Sequence, residues 1–362
     1  MFVRILGGFV LLLALLWVVM YATAASAMRD AMREPWPYGL GTLNELDARG
    51  PRPAASKEAQ EISRLVDALG LDEASPDAYV AAQTAKRDDT IDPPPADAGL
   101  AGHEAPLAEL VRLAVSAGDG LAWGRPGMPW QIDDAAEMLA AAALDRARNG
   151  DATGAWERVH AMWILARSVK EPTDFGASAA LKMEREANAV ARKLPSPAPP
   201  WLAELTAIEP RRETAALIQQ QTLSRVRTMP ALPGPFIVFR PVSAYIEASA
   251  IRRSHAAAEG MTTSPRCRMD AAHTLARAEE VYRATRIEAE LEATAKMIAL
   301  KNERARLGRW PPALPDAGAS RCADNHWIYS ATPDGKSMTL RMSWEVAAEP
   351  NVKSSPALEL AY

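Results

Sequence analysis

Asp133, Asp134 and Glu137 are the residues whose type and spacing come nearest to acid–base chemistry. A glycosidase needs two carboxyl groups across a cleft, one to protonate the leaving oxygen and one to act as base or nucleophile. The same three residues lie where a helix start attracts negative charge, so capping is the more economical account of them. Trp123, Trp130, Trp156 and Trp163 offer flat faces for a sugar or peptide groove. Tryptophans at this density also fill helical cores, and the core of a helical hairpin is the expectation here.

Other chemistries lack their residues. His103, His160, His255, His273 and His326 are scattered, and none stands in the His-Glu-x-x-His spacing that puts two imidazoles on one helical face. Gly-x-Ser-x-Gly, which would mark a serine hydrolase, is absent. Gly335-Lys336-Ser337 imitates the end of a phosphate loop, but Ser330 stands where that loop needs glycine and a strand-like run follows, so a hairpin turn is expected. His326 near Cys322 is too sparse a set for zinc. No catalytic residue, metal or cofactor is assigned. Cys267 and Cys322 are expected to form a disulfide, because two cysteines in an exported chain favour one.

The elements that must position these residues are mostly helical. Alanine dominates the apolar fraction and only 6% of residues are aromatic, which favours helices because alanine loses no side-chain entropy in them. Lys57 to Leu69 sets Ile62, Leu65, Val66 and Leu69 on one face between Ser56 and Gly70. Leu107, Leu110, Val111, Ala114 and Val115 form the next stripe. A helix expected over 135–148 stops at Asn149-Gly150, and Asp151 can cap its successor, so the two fold back antiparallel. Further helices are expected over 174–194, 209–227, 241–258 and 270–307. Two alternating runs around Pro333-Asp334-Gly335 predict a β-hairpin over 326–344.

The N-terminal segment fixes location more firmly than anything else fixes function. No charged side chain interrupts the stretch from Ile5 to Met28, and about 20 such residues cross a bilayer core. Trp17 and Tyr21 suit the headgroup level. Ala25-Ser26-Ala27 also fits a signal-peptidase site, so a transmembrane anchor and a cleaved signal both remain open. Either way the bulk of the chain belongs outside the cytoplasm: anchored in the inner membrane with its body in the periplasm, or released after cleavage near Ala27. Gly8-Phe9 imitates a prepilin junction, but Leu13 stands where glutamate is needed. With 41 basic and 45 acidic residues spread evenly and a net charge of −4, no basic surface for nucleic acid is expected.

The helical hairpin, with Ala143, Ala147 and Ala155 around its Gly-Asp turn, resembles a single tetratricopeptide unit, without a 34-residue recurrence beside it. Gly308-Arg309-Trp310-Pro311-Pro312, followed by Trp327-Ile328-Tyr329 and Asp334-Gly335, resembles the helix-to-sheet junction of type II secretion pseudopilins over roughly 290–344. The order of span, Pro-rich stalk, Ala-rich helical body and Ser320-Arg321-Cys322 beside an aromatic hairpin resembles a group of uncharacterised proteobacterial membrane-anchored envelope proteins. These resemblances imply an envelope location and no particular activity.

The expected architecture is mainly α: an N-terminal transmembrane or signal helix over 1–28, a Pro/Gly-rich stalk over 29–55, and a short helical segment with a linker over 56–103. An irregular helical bundle with the tetratricopeptide-like hairpin follows over 104–308, then a small C-terminal β-hairpin over 309–362. The expected partners are the membrane, through residues 5–28, and an envelope protein of unknown identity. The expected role is a non-catalytic interaction or scaffold. The alternatives are a pseudopilin-like accessory of a secretion or pilus system, and an envelope hydrolase with an unrecognised motif.

Overall fold

The structure, a computed structural model, describes residues 2–48, 54–69, 76–123, 129–169, 174–228, 239–263, 278–315, 326–343 and 356–362. The described residues are mainly helical, with a small antiparallel sheet near the C-terminal end. They group into two compact units, one mainly of residues 1–51 and 214–263, the other mainly of residues 52–213 and 279–362.

In the first unit, helix α1 (Phe2–Arg33) includes a stretch, Gly8–Arg33, long and apolar enough to cross a membrane. Where a stalk is expected over 29–55, residues 29–48 form packed structure. α1 continues to Arg33, Trp36 is buried and bridged to Gly41, and a short helix α2 (Leu43–Asp47) buries Leu43 and Leu46. Thr42 and Glu45 make a capping box, each side chain bonding the other's backbone N–H at 3.1 and 2.8 Å. Prolines and glycines made this stretch look extended, while the capping pair that orders it is only two residues. Helix α10 (Pro210–Thr228) donates from Gln219 to the Gly41 carbonyl at 3.2 Å and from Arg227 to Asp47 at 2.8 Å. Helix α11 (Arg240–Thr263) packs along α1, and its Glu247 pairs with Arg225 at 3.1 Å.

The second unit is a helical bundle. Helices α3 (Lys57–Leu69), α4 (Pro76–Thr84), α5 (Glu104–Ala117), α6 (Pro129–Arg148), α7 (Ala152–Val169) and α8 (Asp174–Lys193) share one core, with the short α9 (Leu202–Thr206) against α8. α6 is central because Ala135, Ala136 and Ala140 to Ala143 are all buried, and small side chains let α4, α7 and α8 approach it on several faces. Gly150 ends α6 at φ 83°, its N–H reaching Ala147 and that of Asp151 reaching Arg146, a Schellman closure. The Asp151 carboxylate then accepts from the Gly154 N–H at 2.9 Å and caps α7, worth about 1 kcal/mol. The stretch 88–102, expected as a linker, is tied down: Tyr79 donates to the Asp92 carbonyl at 2.9 Å, and the Asp92 N–H donates to Gln83 at 2.9 Å.

Helix α12 (Ala278–Leu307) lies on α8 and runs parallel to it. Arg185 meets Glu290, the Thr294 hydroxyl meets the Asn188 carbonyl, and Lys301 meets the carbonyls of Arg192 and Leu194. Lys301 thereby takes the last carbonyls of α8, and burial pushes its ammonium down to about 8. α12 stops at Gly308, whose φ is 70° and whose N–H donates to the Arg304 carbonyl at 2.8 Å.

Trp310 then turns into a second small core. The hairpin appears as β1 (Trp327–Ala331) and β2 (Met338–Met342), in register Trp327 with Met342 and Ala331 with Met338. Gly335 sits at φ 65° in the connecting turn, where an added Cβ would lie 2.8 Å from Arg309 Cβ, and its carbonyl accepts from the Trp310 N–H at 2.9 Å. A third strand, β3 (Leu360–Ala361), joins β2 and turns the expected hairpin into a three-stranded sheet.

Candidate functional site

α6 presents Asp133 and Glu137 one turn apart, and α8 presents Lys182 and Glu186 with the same four-residue spacing. Because the two helices pack together, these four side chains meet, and Asp77 from the first turn of α4 joins them. Lys182 Nζ donates to Asp133 Oδ2 at 2.8 Å and also to Glu137 Oε1. One oxygen from each of Asp77, Glu137 and Glu186 lies within 4.8 Å of the others. Asp133 and Glu137 are buried, and Asp133 Oδ1 and Glu186 Oε2 have no hydrogen-bond partner among the described residues.

The electrostatics follow from that crowding. Burial raises the Asp133 carboxyl, with Lys182 opposing the shift. Burial pushes Glu137 up to about 7 and Glu186 to about 8, and the neighbouring carboxylates add to the effect. Burial alone would lower the Lys182 ammonium, but its bonds to Asp133 and Glu137 outweigh that and raise it. At neutral pH the cluster therefore holds at least one proton on a carboxyl as well as its ammonium. Three oxygens at this spacing suit a hard divalent ion. Lys182 already stands on two of the four carboxylates as a positive charge, so the arrangement as built is a proton-holding lysine–carboxylate cluster.

The sequence expectation for these residues needs correction. α6 begins at Pro129, so Asp133 and Glu137 lie beyond its first turn and point inward, while Asp134 faces out. They do not cap the helix. Lys182 and Glu186 carry little signal in the sequence beyond an (i, i+4) pair of charged residues that matches the Asp133 and Glu137 pair on another alanine-rich helix.

Trp123, Trp156 and Trp163 are buried in the helical core, as expected, with the indole N–H of Trp123 on Ser168 at 2.8 Å and that of Trp156 on the Pro195 carbonyl at 3.0 Å. The side chain of Trp130 lies outside the described residues. Trp201 completes an aromatic stack, its ring centroid 4.5 Å from His160 and 6.0 Å from Trp163, and Arg167 covers Trp163 at 4.8 Å. Burial lowers the His160 imidazole, which suits a neutral stacking ring. His255 sits 2.9 Å from the Pro35 carbonyl through Nε2, and Gly335 to Ser337 form the hairpin turn. Cys267, Cys322 and His273 lie outside the described residues.

Lys182→Met is expected to lower the stability of this unit by about 2–3 kcal/mol at pH 8. Removing one partner of a buried pair costs about 3–5 kcal/mol, reduced here because the Lys182 side chain is 43% exposed and screened. Glu137 and Glu186 titrate above their ordinary range, so their contribution is full below about pH 4.5 and is lost as pH rises through 7 and 8. The loss at pH 5 should therefore be much smaller. Urea unfolding at both pH values measures it, and an equal loss at the two would mean that only the lysine stem's packing matters.

The fold and cluster define a mainly helical protein with an apolar N-terminal helix, an Ala-rich bundle and a small C-terminal sheet. No family model, no curated protein and no solved structure matches the chain.

Proposed function

We propose that the chain is an envelope protein, anchored in the inner membrane by α1 with its body in the periplasm, and that it serves as a non-catalytic scaffold or binding partner for another envelope protein. The observation that carries this reading is the contrast within α1. Between Phe9 and Tyr21 its large apolar side chains, Trp17 aside, are 43–74% exposed, a surface that water does not accommodate and a bilayer does.

Cell fractionation tests it. The full chain is expected in the membrane fraction, resistant to alkaline carbonate, released by detergent, and digested by protease added to opened periplasm. A mature protein whose N-terminus follows Ala27 would replace the anchored form with the exported one. Recovery from the cytosol would overturn both. Crosslinking in intact cells should then capture one envelope partner, whereas turnover of envelope substrates by the purified chain would sink the scaffold role.

One arrangement favours a hydrolase instead: α6 and α8 bring the Glu137 and Glu186 carboxyls together in a buried cluster, and burial raises both above the usual range, as a general acid needs. On that reading Glu137→Gln abolishes a measurable hydrolysis of an envelope polymer. The pseudopilin-like alternative rests on the passage from α12 through Gly308 and Trp310 into the sheet, and it requires an export or pilus defect on deletion.

A further inference from the structure

The first unit carries a second apolar surface besides α1. Phe239, Val242, Tyr245 and Ile246 are 59%, 44%, 59% and 51% exposed at the start of α11. Their spacing of three and four residues places them on one face of the first two turns. Ser243 bonds back to the carbonyls of Phe239 and Arg240, and Glu247 on the far side is held by Arg225, so these two polar side chains are occupied locally.

The position of this face relative to α1 follows from the packing within the unit. His255 meets the Pro35 carbonyl at 2.9 Å and lies edge-on to Trp36, just past the end of α1. The α1 residues Ala24 and Ala31 are 2% and 1% exposed, as are Ala248 and Ile251 of α11 at 1% each. Buried contact thus reaches back to Ala24 on α1, and the part of α11 after His255, which ends at Thr263, is too short to cover it. The residues of α11 that precede His255 therefore lie beside α1, with the two helices running the same way. From His255 back to Phe239 is about 24 Å at 1.5 Å per residue, and the same distance back from Pro35 along α1 ends near Val19. Phe239 therefore stands at the level of Trp17 and Tyr21, whose rings stack 5.3 Å apart, and Val242, Tyr245 and Ile246 follow outward to the level of Ala25 and Ser26, about 7 Å beyond Tyr21.

We propose that the first two turns of α11 are a second membrane contact: Phe239, Val242, Tyr245 and Ile246 sit in the headgroup and upper acyl region of the bilayer that α1 crosses. The inference rests on α1 lying in that bilayer. What identifies lipid as the occupant is continuity. The face begins at the level where the exposed apolar surface of α1 ends and Trp17 and Tyr21 mark the interface, and aromatic residues with an adjacent arginine, here Arg240, are what an interfacial helix presents. Such a contact would fix the tilt and rotation of the first unit on the membrane, which a single crossing helix leaves free.

The test uses the full chain in vesicles of phosphatidylethanolamine and phosphatidylglycerol. A fluorescent amino acid, acridonylalanine, replaces Val242, Tyr245 or Ile246 in turn, with Leu13 and Arg253 as reference positions. Quenching by brominated acyl chains reports lipid, and quenching by iodide reports water. The expected result is bromolipid quenching at least threefold above that at Arg253 for all three α11 positions, with iodide quenching reduced to match. Iodide quenching at the α11 positions equal to that at Arg253, with Leu13 in lipid, would overturn the second contact and leave the anchor standing. Leu13 quenched by iodide would overturn the anchor and the contact together. Shielding of the α11 positions from both quenchers would show that protein, such as a second copy, covers the face, and would overturn lipid as its occupant.

Discussion

Glu290→Ala is expected to destabilise the second unit by about 3–5 kcal/mol, the range for breaking a buried ion pair from one side. Glu290 is 2% exposed and accepts two parallel bonds from Arg185, at 2.6 and 2.8 Å, and a third from Arg286 at 2.9 Å. Burial would raise its carboxyl, but the Arg185, Arg286 and Arg192 guanidinium groups prevail and hold it below the usual glutamate range. Alanine takes from the Arg185 and Arg286 cations the carboxylate they share in that low-dielectric space. The damage should spread to the C-terminal strand, because Arg286 also donates to the Pro356 carbonyl at 2.6 Å and Arg192 to that of Ala357 at 2.6 Å. A lowered carboxyl pKa gives stability that is present above about pH 4.5 and lost as pH falls through the folded value. Wild type should therefore lose stability below pH 4.5 more steeply than Glu290→Ala. Urea unfolding from pH 7 to pH 3, with amide exchange at Leu360 and Ala361, measures both effects. A loss under 1 kcal/mol would mean that solvent reaches the two arginines.

Much of this architecture is legible in the sequence wherever one element carries its own signals. α3 runs from Lys57 to Leu69, as its apolar spacing predicts, and the Ser56 hydroxyl accepts from the Ala59 N–H at 3.1 Å. The Asn149-Gly150-Asp151 turn works through local chemistry, a left-handed glycine and a capping carboxylate. What escaped depends on distant partners. α4 is short and alanine-rich and holds its place through Tyr79 and Gln83 on Asp92. β3 consists of two residues held extended by the edge of β2 and by the Ala361 N–H on the Arg87 carbonyl at 3.0 Å, both distant in sequence. The lysine–carboxylate cluster needs the pairing of α6 with α8, since Asp133 and Lys182 are 49 residues apart and neither helix announces the other. Glu290 lies 105 residues from Arg185 and looks like one more charge on a charged helix until α12 is laid against α8. Periodicity identified most of the buried faces, although Val115 of the α5 stripe is exposed and Leu113 is buried in its place, and it carried no information about which buried charges meet.

Trp310→Ala is expected to cost about 3–5 kcal/mol, the range for emptying a buried aromatic site. Trp310 is 1% exposed and holds the small C-terminal core together. Its ring meets Tyr362 edge-on at 5.5 Å and carries Arg304 at 4.4 Å over its face, while Leu340, Met338 and Leu360 of the sheet share its cluster. It also fixes the chain path, because its N–H bonds the Gly335 carbonyl at 2.9 Å and so ties the end of α12 to the hairpin turn. The alanine variant keeps that backbone bond but leaves a void that the strands cannot fill without losing register. The far-ultraviolet signal, dominated by helices remote from this core, should change little, while amide protection at Tyr329, Leu340 and Leu360 should collapse. Trp310→Phe separates volume from polarity. The indole Nε1 has no hydrogen-bond partner among the described residues, so phenylalanine removes an unsatisfied donor while keeping most of the ring. That variant should lose under about 1.5 kcal/mol and retain protected strands. If phenylalanine proves as damaging as alanine, the indole N–H has a partner that matters, and the second core is held by that bond rather than by packing.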